Sequence, residues 1–269
     1  MKALKAYPNQ NIKTIEINEQ QEIVYHYYVP KQIKKVLVLV HGISRNSYEI
    51  IDEFSKQADI HGYLLIAPIF TKEFSTDYQR LGRMGKGPRS DYQLMTIIND
   101  CKKKLNINFT QFDLFGFSAG AQYAHRFAFA HPNMVKKVAL VAAGWYTLPT
   151  IDLAYPRGTR IKNQFTDIKF DPQRYLRIKF KVYVGGNDNK RDAALNKSRK
   201  IDITQGKNRV SRAKNWVDLM RFQIEKHAID NSIEMEILTE VEHDFLDCVQ
   251  NSQLTIKVLN WFNESINHA

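Results

Sequence analysis

The chain has 269 residues, 43% hydrophobic and 12% aromatic, enough to bury a large core within a single α/β domain. Its 39 Lys and Arg against 28 Asp and Glu give a net charge of +11 and a pI near 9.5, but the cations are scattered, densest over 179–214. No zinc-finger spacing, RNP-like motif or recognition helix accompanies them, so solvated charge is expected and not a nucleic-acid surface. With no run of about eighteen apolar residues, no apolar stretch in MKALKAYPNQN, and only Cys101 and Cys248, neither a membrane span, a signal peptide nor a disulfide framework is expected; a cytoplasmic protein is.

In chain order, IKTIEIN and EIVYHYYVP alternate polar and apolar residues and read as an antiparallel pair. VLVLVHG, YLLIAPIF, FDLFGFS, KVALVAAGW and KFKVYVGG are short, nearly continuous apolar runs closed by Gly, Pro or polar residues, the pattern of buried parallel strands. Helical periodicity covers 48–61, 92–105, 119–131 and 210–228, and SIEMEILTEV reads as a final strand before a last helix over 255–267. This alternation predicts an α/β fold of about eight strands, mostly parallel, with helices on both faces and right-handed crossovers. One domain over 1–269 is expected, with a small polar insertion at about 189–209. Ligands in such a sheet gather at the carboxyl ends of the strands.

At one of those ends stands Gly116-Phe117-Ser118-Ala119-Gly120, a G-x-S-x-G pattern. A serine at a sharp strand-to-helix turn has its hydroxyl exposed above the sheet, flanking glycines leave room for the turn, and the helix N-terminus favours developing negative charge. The hydroxyl needs a base, and the base an orienting acid. Asp188 follows KVYVGG and His243 follows EMEILTEV, giving the chain order Ser118, Asp188, His243 expected for this architecture. Asp192, in the same loop as Asp188, and Asp152 compete for the acid. His26, His61, His125, His131, His227 and His268 lie in strands, helices or the terminus and read as structural. An oxyanion would be met by the backbone N–H of Ala119 and of Ile43, in the loop His41-Gly42-Ile43-Ser44-Arg45-Asn46, with His41 supporting that loop.

These segments resemble the α/β-hydrolase superfamily, and within it bacterial esterases related to polyhydroxyalkanoate depolymerases and feruloyl esterases. The resemblance is carried by VLVLVHGISRNSYEI, GFSAGAQYAHRF, AAGWYTLPT, QGKNR with SRAKNW, and VEHDF, and runs from about Val36 to about Val249. It implies Ser118 as nucleophile, His243 as base, Asp188 as acid, and Ile43 with Ala119 as the oxyanion hole. Where relatives commonly carry G-D-x-D, this chain has Gly185-Gly186-Asn187-Asp188, which keeps Asp192 in contention.

Trp145 and Tyr146, after the sixth strand, and Ser44 are expected to contact substrate. The insertion at 189–209 is too polar for a greasy lid and reads as a flexible basic wall favouring polar or anionic substrates. LGRMGKGPRS lacks the G-x-x-x-x-G-K-S/T of a phosphate loop and reads as a site rim. No metal-ligand spacing appears, so neither metal nor cofactor is expected. The expected activity is hydrolysis of a small soluble carboxylic ester by a monomer or homodimer. Polyester depolymerase, thioesterase, acyltransferase, peptidase or lactonase chemistry would use the same residues; a non-catalytic binding protein on the same fold and a basic nucleic-acid-binding protein are the readings outside enzymes.

Overall fold

The computed structural model describes residues 9–17, 23–82, 87–161, 165 and 167–264. Eight strands form one sheet in the order β1-β2-β4-β3-β5-β6-β7-β8. The polar-apolar alternation at the start produces β1 (Ile12–Ile17) and β2 (Ile23–Tyr28), which pair antiparallel with Ile12 opposite Tyr28, and β2 lies antiparallel on β4 (Tyr63–Ile69). From β4 onward every neighbour is parallel: β3 (Lys35–Val40), β5 (Phe112–Phe117), β6 (Val135–Val141), β7 (Lys179–Gly185) and β8 (Ile233–Leu238).

The continuous apolar runs are explained by burial on both faces. Along β3, Leu37 and Leu39 enter one core cluster while Val38 and Val40 enter the other, the period of two that a pleated strand imposes. One face packs against α1 (Ser47–His61), α7 (Phe245–Ser252) and α8 (Leu254–Asn263) through Phe54, Phe245, Leu259 and Trp261. The other packs against α2 (Ser90–Leu105), α3 (Ala119–Ala130) and α6 (Arg209–Lys226) through Ile97, Tyr123, Phe127 and Trp216. Two short helices, α4 (Pro172–Tyr175) and α5 (Arg199–Gln205), complete the described α-helices, and single 3-10 turns lie at Tyr78–Arg80 and Pro132–Met134.

The predicted last helix is α8 over the described residues, and it is preceded by α7, which the periodicity did not predict. Gln253 takes φ 56° and donates its N–H to Cys248 and Val249 carbonyls, closing α7 before α8 begins at Leu254. Residues 265–267 of the predicted helix lie outside the described residues. Among the described residues no helix is long and apolar enough to cross a membrane.

Candidate active site

The site starts from a backbone corner. β5 runs into Ser118, whose φ of 55° and ψ of −111° lie in a region that side chains other than glycine rarely occupy. Its N–H donates to the Val141 carbonyl at 2.8 Å, tying the corner to the end of β6, and α3 begins at Ala119. The flanking glycines are required by contact. A Cβ on Gly116 would stand 2.3 Å from the Gly120 carbonyl oxygen, and one on Gly120 would stand 2.1 Å from that of Val40. The turn at Ser118 therefore touches the end of β3 backbone to backbone.

Three side chains from three strand ends meet there. Ser118 Oγ lies 3.0 Å from His243 Nε2, and His243 Nδ1 lies 2.7 Å from Asp188 Oδ2. An ionised carboxylate only accepts, so the proton sits on Nδ1, and Nε2 accepts from the serine hydroxyl. The imidazole stacks on Phe117, with ring centres 5.3 Å apart and planes at 19°. Asp188 is 2% exposed, and its second oxygen takes the Arg209 Nη1–H at 3.0 Å. Of the two candidate acids, Asp188 reaches the imidazole. Asp192 sits on the far side of Arg209, accepting from Nη1 at 2.6 Å and Nη2 at 3.2 Å. Asp152 is exposed and accepts from the Thr150 hydroxyl.

The loop after β3 lies against Ser118: a Cβ on Gly42 would stand 3.5 Å from Ser118 Cβ. His41 holds this loop from behind. Its Nδ1–H donates to the Gly42 carbonyl at 2.8 Å, its Nε2 accepts the Phe70 N–H at 3.0 Å, and its own carbonyl accepts the Tyr78 hydroxyl at 2.7 Å. Both ring nitrogens are used, so the imidazole is structural. The turn over 42–45 closes through the Arg45 N–H on the Gly42 carbonyl and carries Ile43, 54% exposed, at its outer corner. Ser44 donates its hydroxyl to Asn46 Oδ1 at 2.9 Å. Ala119 supplies the first N–H of α3, one that a helix leaves without an internal acceptor.

Burial of histidines has a consequence for stability. Desolvation pushes His41 down to about 3, His26 to about 4 and His125 well below its ordinary 6.5. In the unfolded chain these groups protonate near 6.5, so between about pH 6.5 and 4 the unfolded state binds more protons and folding weakens as pH falls. Asp113, pushed up by its own burial, works in the opposite sense, but it is one carboxyl against four imidazoles, since burial lowers His61 as well. Asp91 and Asp192, which Arg209, Arg89 and His131 hold below 3.8, act only at lower pH. The melting temperature is expected to drop by several degrees from pH 7 to pH 4.5; a flat profile in calorimetry over that interval would contradict this.

The remaining expectations separate. Trp145 is 6% exposed at the carboxyl edge, its ring centre 4.2 Å from the Arg126 guanidinium carbon and 5.8 Å from that of Arg80. Tyr146 is fully buried instead, stacked on Trp216 at 4.9 Å, and belongs to the core. The histidines set aside as structural are bonded elsewhere: His26 with Thr14, His61 with Asn263, His125 with Ala121 and Thr147, and His131 with Asp91. His227 lies beside Gln173, and His268 is outside the described residues. The insertion at 189–209 is partly tied down and partly open: Lys197, Arg199, Lys200 and Lys207 are exposed. Lys190 pairs with Glu242, Arg191 with Asp202, and Arg209 with two aspartates. Of the predicted rim loop, residues 83–86 lie outside the described residues, and Arg89 is bound to Asp91 and Asp167. Composition gave no sign that Gln205, Arg209 and Arg212 reach the site; the QGKNR and SRAKNW segments were the available signal.

A mostly parallel eight-stranded sheet with a serine at a positive-φ corner after β5 defines the α/β-hydrolase fold. No family model matches the sequence, and no curated protein matches it. Among solved structures, the chain is similar to poly(aspartic acid) hydrolase-1 from Sphingomonas sp. KT-1, with a TM-score of 0.76 and 19% identity over 93% of this chain and 97% of that one. It is similar also to a poly(3-hydroxybutyrate) depolymerase from Bordetella parapertussis, with a TM-score of 0.74 and 20% identity over 94% and 88%. An S-formylglutathione hydrolase from Agrobacterium tumefaciens follows at 0.62 and 12% over 93% of each chain.

Proposed function

We propose that the protein is a serine hydrolase that cleaves a small carboxylic ester through an acyl-enzyme intermediate. The observation that carries this reading is the continuous chain from Ser118 Oγ through His243 to a buried Asp188, set at the strained corner of β5 and α3. In the first half-reaction Ser118 Oγ attacks the ester carbonyl as its proton passes to His243 Nε2. Asp188 keeps Nδ1–H directed at itself and stabilises the imidazolium. The amides of Ala119 and Ile43 receive the oxyanion, and the tetrahedral species collapses as the imidazolium gives its proton to the departing alkoxide. Water then repeats the sequence on the acyl-enzyme, releasing the acid and restoring the serine. Each step uses only these side chains, backbone amides and water.

A small substrate is favoured by the setting of the nucleophile. Ser118 is 8% exposed and Trp145, which we assign to the wall of the acyl pocket, is 6% exposed, so both are recessed below the surface. That the similar structures are by name a poly(aspartic acid) hydrolase, a poly(3-hydroxybutyrate) depolymerase and an S-formylglutathione hydrolase supports acyl transfer as the reaction class, without choosing the acyl group. The test is a hydrolysis screen over alkyl esters, aryl esters, thioesters, lactones and short polyesters, together with labelling by a fluorophosphonate and mass mapping of the modified residue. Adduct formation on Ser118 with fastest turnover of short esters is expected; no adduct and no turnover would reject the proposal.

A further inference from the structure

Two arginines occupy the start of α6 against the electrostatics of a helix. Arg209 is its first residue and Arg212 stands one turn along, where the positive end of the helix dipole opposes cations. Both are buried, Arg209 to 1% and Arg212 to 0% exposure. A local rule broken twice within four residues, at positions removed from water, calls for a compensating purpose elsewhere in the molecule.

The partners of the segment 205–212 supply one. Arg209 donates to Asp188 Oδ1 at 3.0 Å while Asp188 Oδ2 faces His243, so the guanidinium holds one edge of the carboxylate and the imidazole the other. Asp192 fixes that guanidinium from the outside through two bonds. Arg212 donates to the Gly144 carbonyl at 2.6 Å, and to the Gly206 and Asn196 carbonyls and Asp202 at 2.8 Å each. Gln205 brackets Tyr146 from both sides, accepting its N–H and donating to its carbonyl at 2.8 Å each. Gly144 and Tyr146 are the two neighbours of Trp145, so that residue hangs between two fixed points. Within the segment, Asn208 and Ser211 form a reciprocal capping box, and Gly206 takes φ +108° with Ser211 Oγ where a Cβ would be.

We propose that the segment 205–212 is a two-armed positioning element for the site. One arm, Arg209 with Asp192, orients the acid of the triad; the other, Gln205 with Arg212, fixes the backbone that presents Trp145. This rests on the hydrolase reading for what the two arms serve. The arms act on different quantities: the first on the chemical step, through the aim of the imidazole, and the second on substrate seating.

The prediction is a split between kinetic constants. Arg209→Gln lowers kcat and the rate of fluorophosphonate labelling about tenfold to hundredfold, with KM changed less than about threefold. Arg209→Lys, which keeps the charge and one bond to Asp188, recovers part of that loss. Gln205→Leu raises KM by roughly five- to tenfold and leaves kcat and labelling within about threefold. Because Arg209 is buried and its glutamine variant could fail to fold, Asp192→Asn serves beside it: its partly exposed side chain can be neutralised without emptying a buried site, and a roughly threefold to tenfold fall in labelling rate at constant KM is expected. A substrate-independent readout is the downfield proton resonance of the His243 Nδ1–H···Asp188 bond, which shifts or broadens in Arg209→Gln and Asp192→Asn and stays in place in Gln205→Leu. Equal effects of all variants on kcat and KM, or an unchanged resonance and labelling rate in both first-arm variants, would overturn the proposal. If the wild type itself is neither labelled nor active, the hydrolase reading fails, and the resonance alone then decides whether Arg209 orients the Asp188–His243 pair.

Discussion

Ser118→Ala is expected to reduce turnover of any ester substrate by about five to six orders of magnitude while leaving the melting temperature within about 2 °C of wild type. The variant keeps a Cβ at the same corner and loses only the hydroxyl that bonds His243, so the backbone has no reason to move. His243→Ala should cost about as much, and the double variant little more than either, because a nucleophile without its base and a base without its nucleophile fail at the same step. Asp188→Asn is the more diagnostic change. An amide in place of the carboxylate can turn its NH2 toward Nδ1, which favours the tautomer with the proton on Nε2 and removes the acceptor that Ser118 needs; a loss of about 10⁴ is expected. Steady-state kinetics on purified variants with matched circular dichroism checks all four. Additive losses across the triad would mean that the three residues do not work as a unit.

The second large effect concerns folding. Gly120→Ala places a methyl group 2.1 Å from the Val40 carbonyl oxygen and 2.6 Å from that of His41, both in backbone that cannot rotate away. We expect a loss of about 3 kcal/mol or more, and a fall in melting temperature of roughly 10 °C, or failure to accumulate as soluble protein. Gly87→Ala is the matched control, since nothing lies within 4 Å of its added Cβ. A Gly120→Ala protein as stable as wild type would mean that the nucleophile turn does not sit against β3 as described.

The elements easiest to read in the sequence were those fixed by hydrophobic period. The parallel strands are nearly pure apolar runs because both faces are covered, and their carboxyl ends carry Ser118, Asp188 and His243 in the chain order expected for this architecture. What resisted was everything decided by tertiary partners. Asp188 and Asp192 are four positions apart in one polar loop, and only the location of Arg209 between them separates the residue facing His243 from the residue facing outward. Within the basic stretch, composition could not separate Arg191, Arg209 and Arg212, which reach carbonyls and carboxylates, from Lys197, Arg199, Lys200 and Lys207, which stay exposed. Trp145 and Tyr146 are adjacent aromatics at a strand end, yet the stack of Tyr146 on Trp216 sends one into the core and leaves the other at the edge. The division of the carboxyl-terminal region into α7 and α8 turns on the left-handed backbone of Gln253, a residue type with no strong preference for it.

The corner at Ser118 is assembled from peptide groups: an amide on the Val141 carbonyl, and a glycine α-carbon against the carbonyl of Val40. None of these contacts passes through a side chain of β3 or β6. The aliphatic residues of those strands can therefore drift among Val, Ile and Leu over evolutionary time, erasing recognisable identity, while the Ser118 hydroxyl stays where it is. The same separation means that side chains around the corner, Trp145 among them, can be changed without resetting the backbone at Ser118.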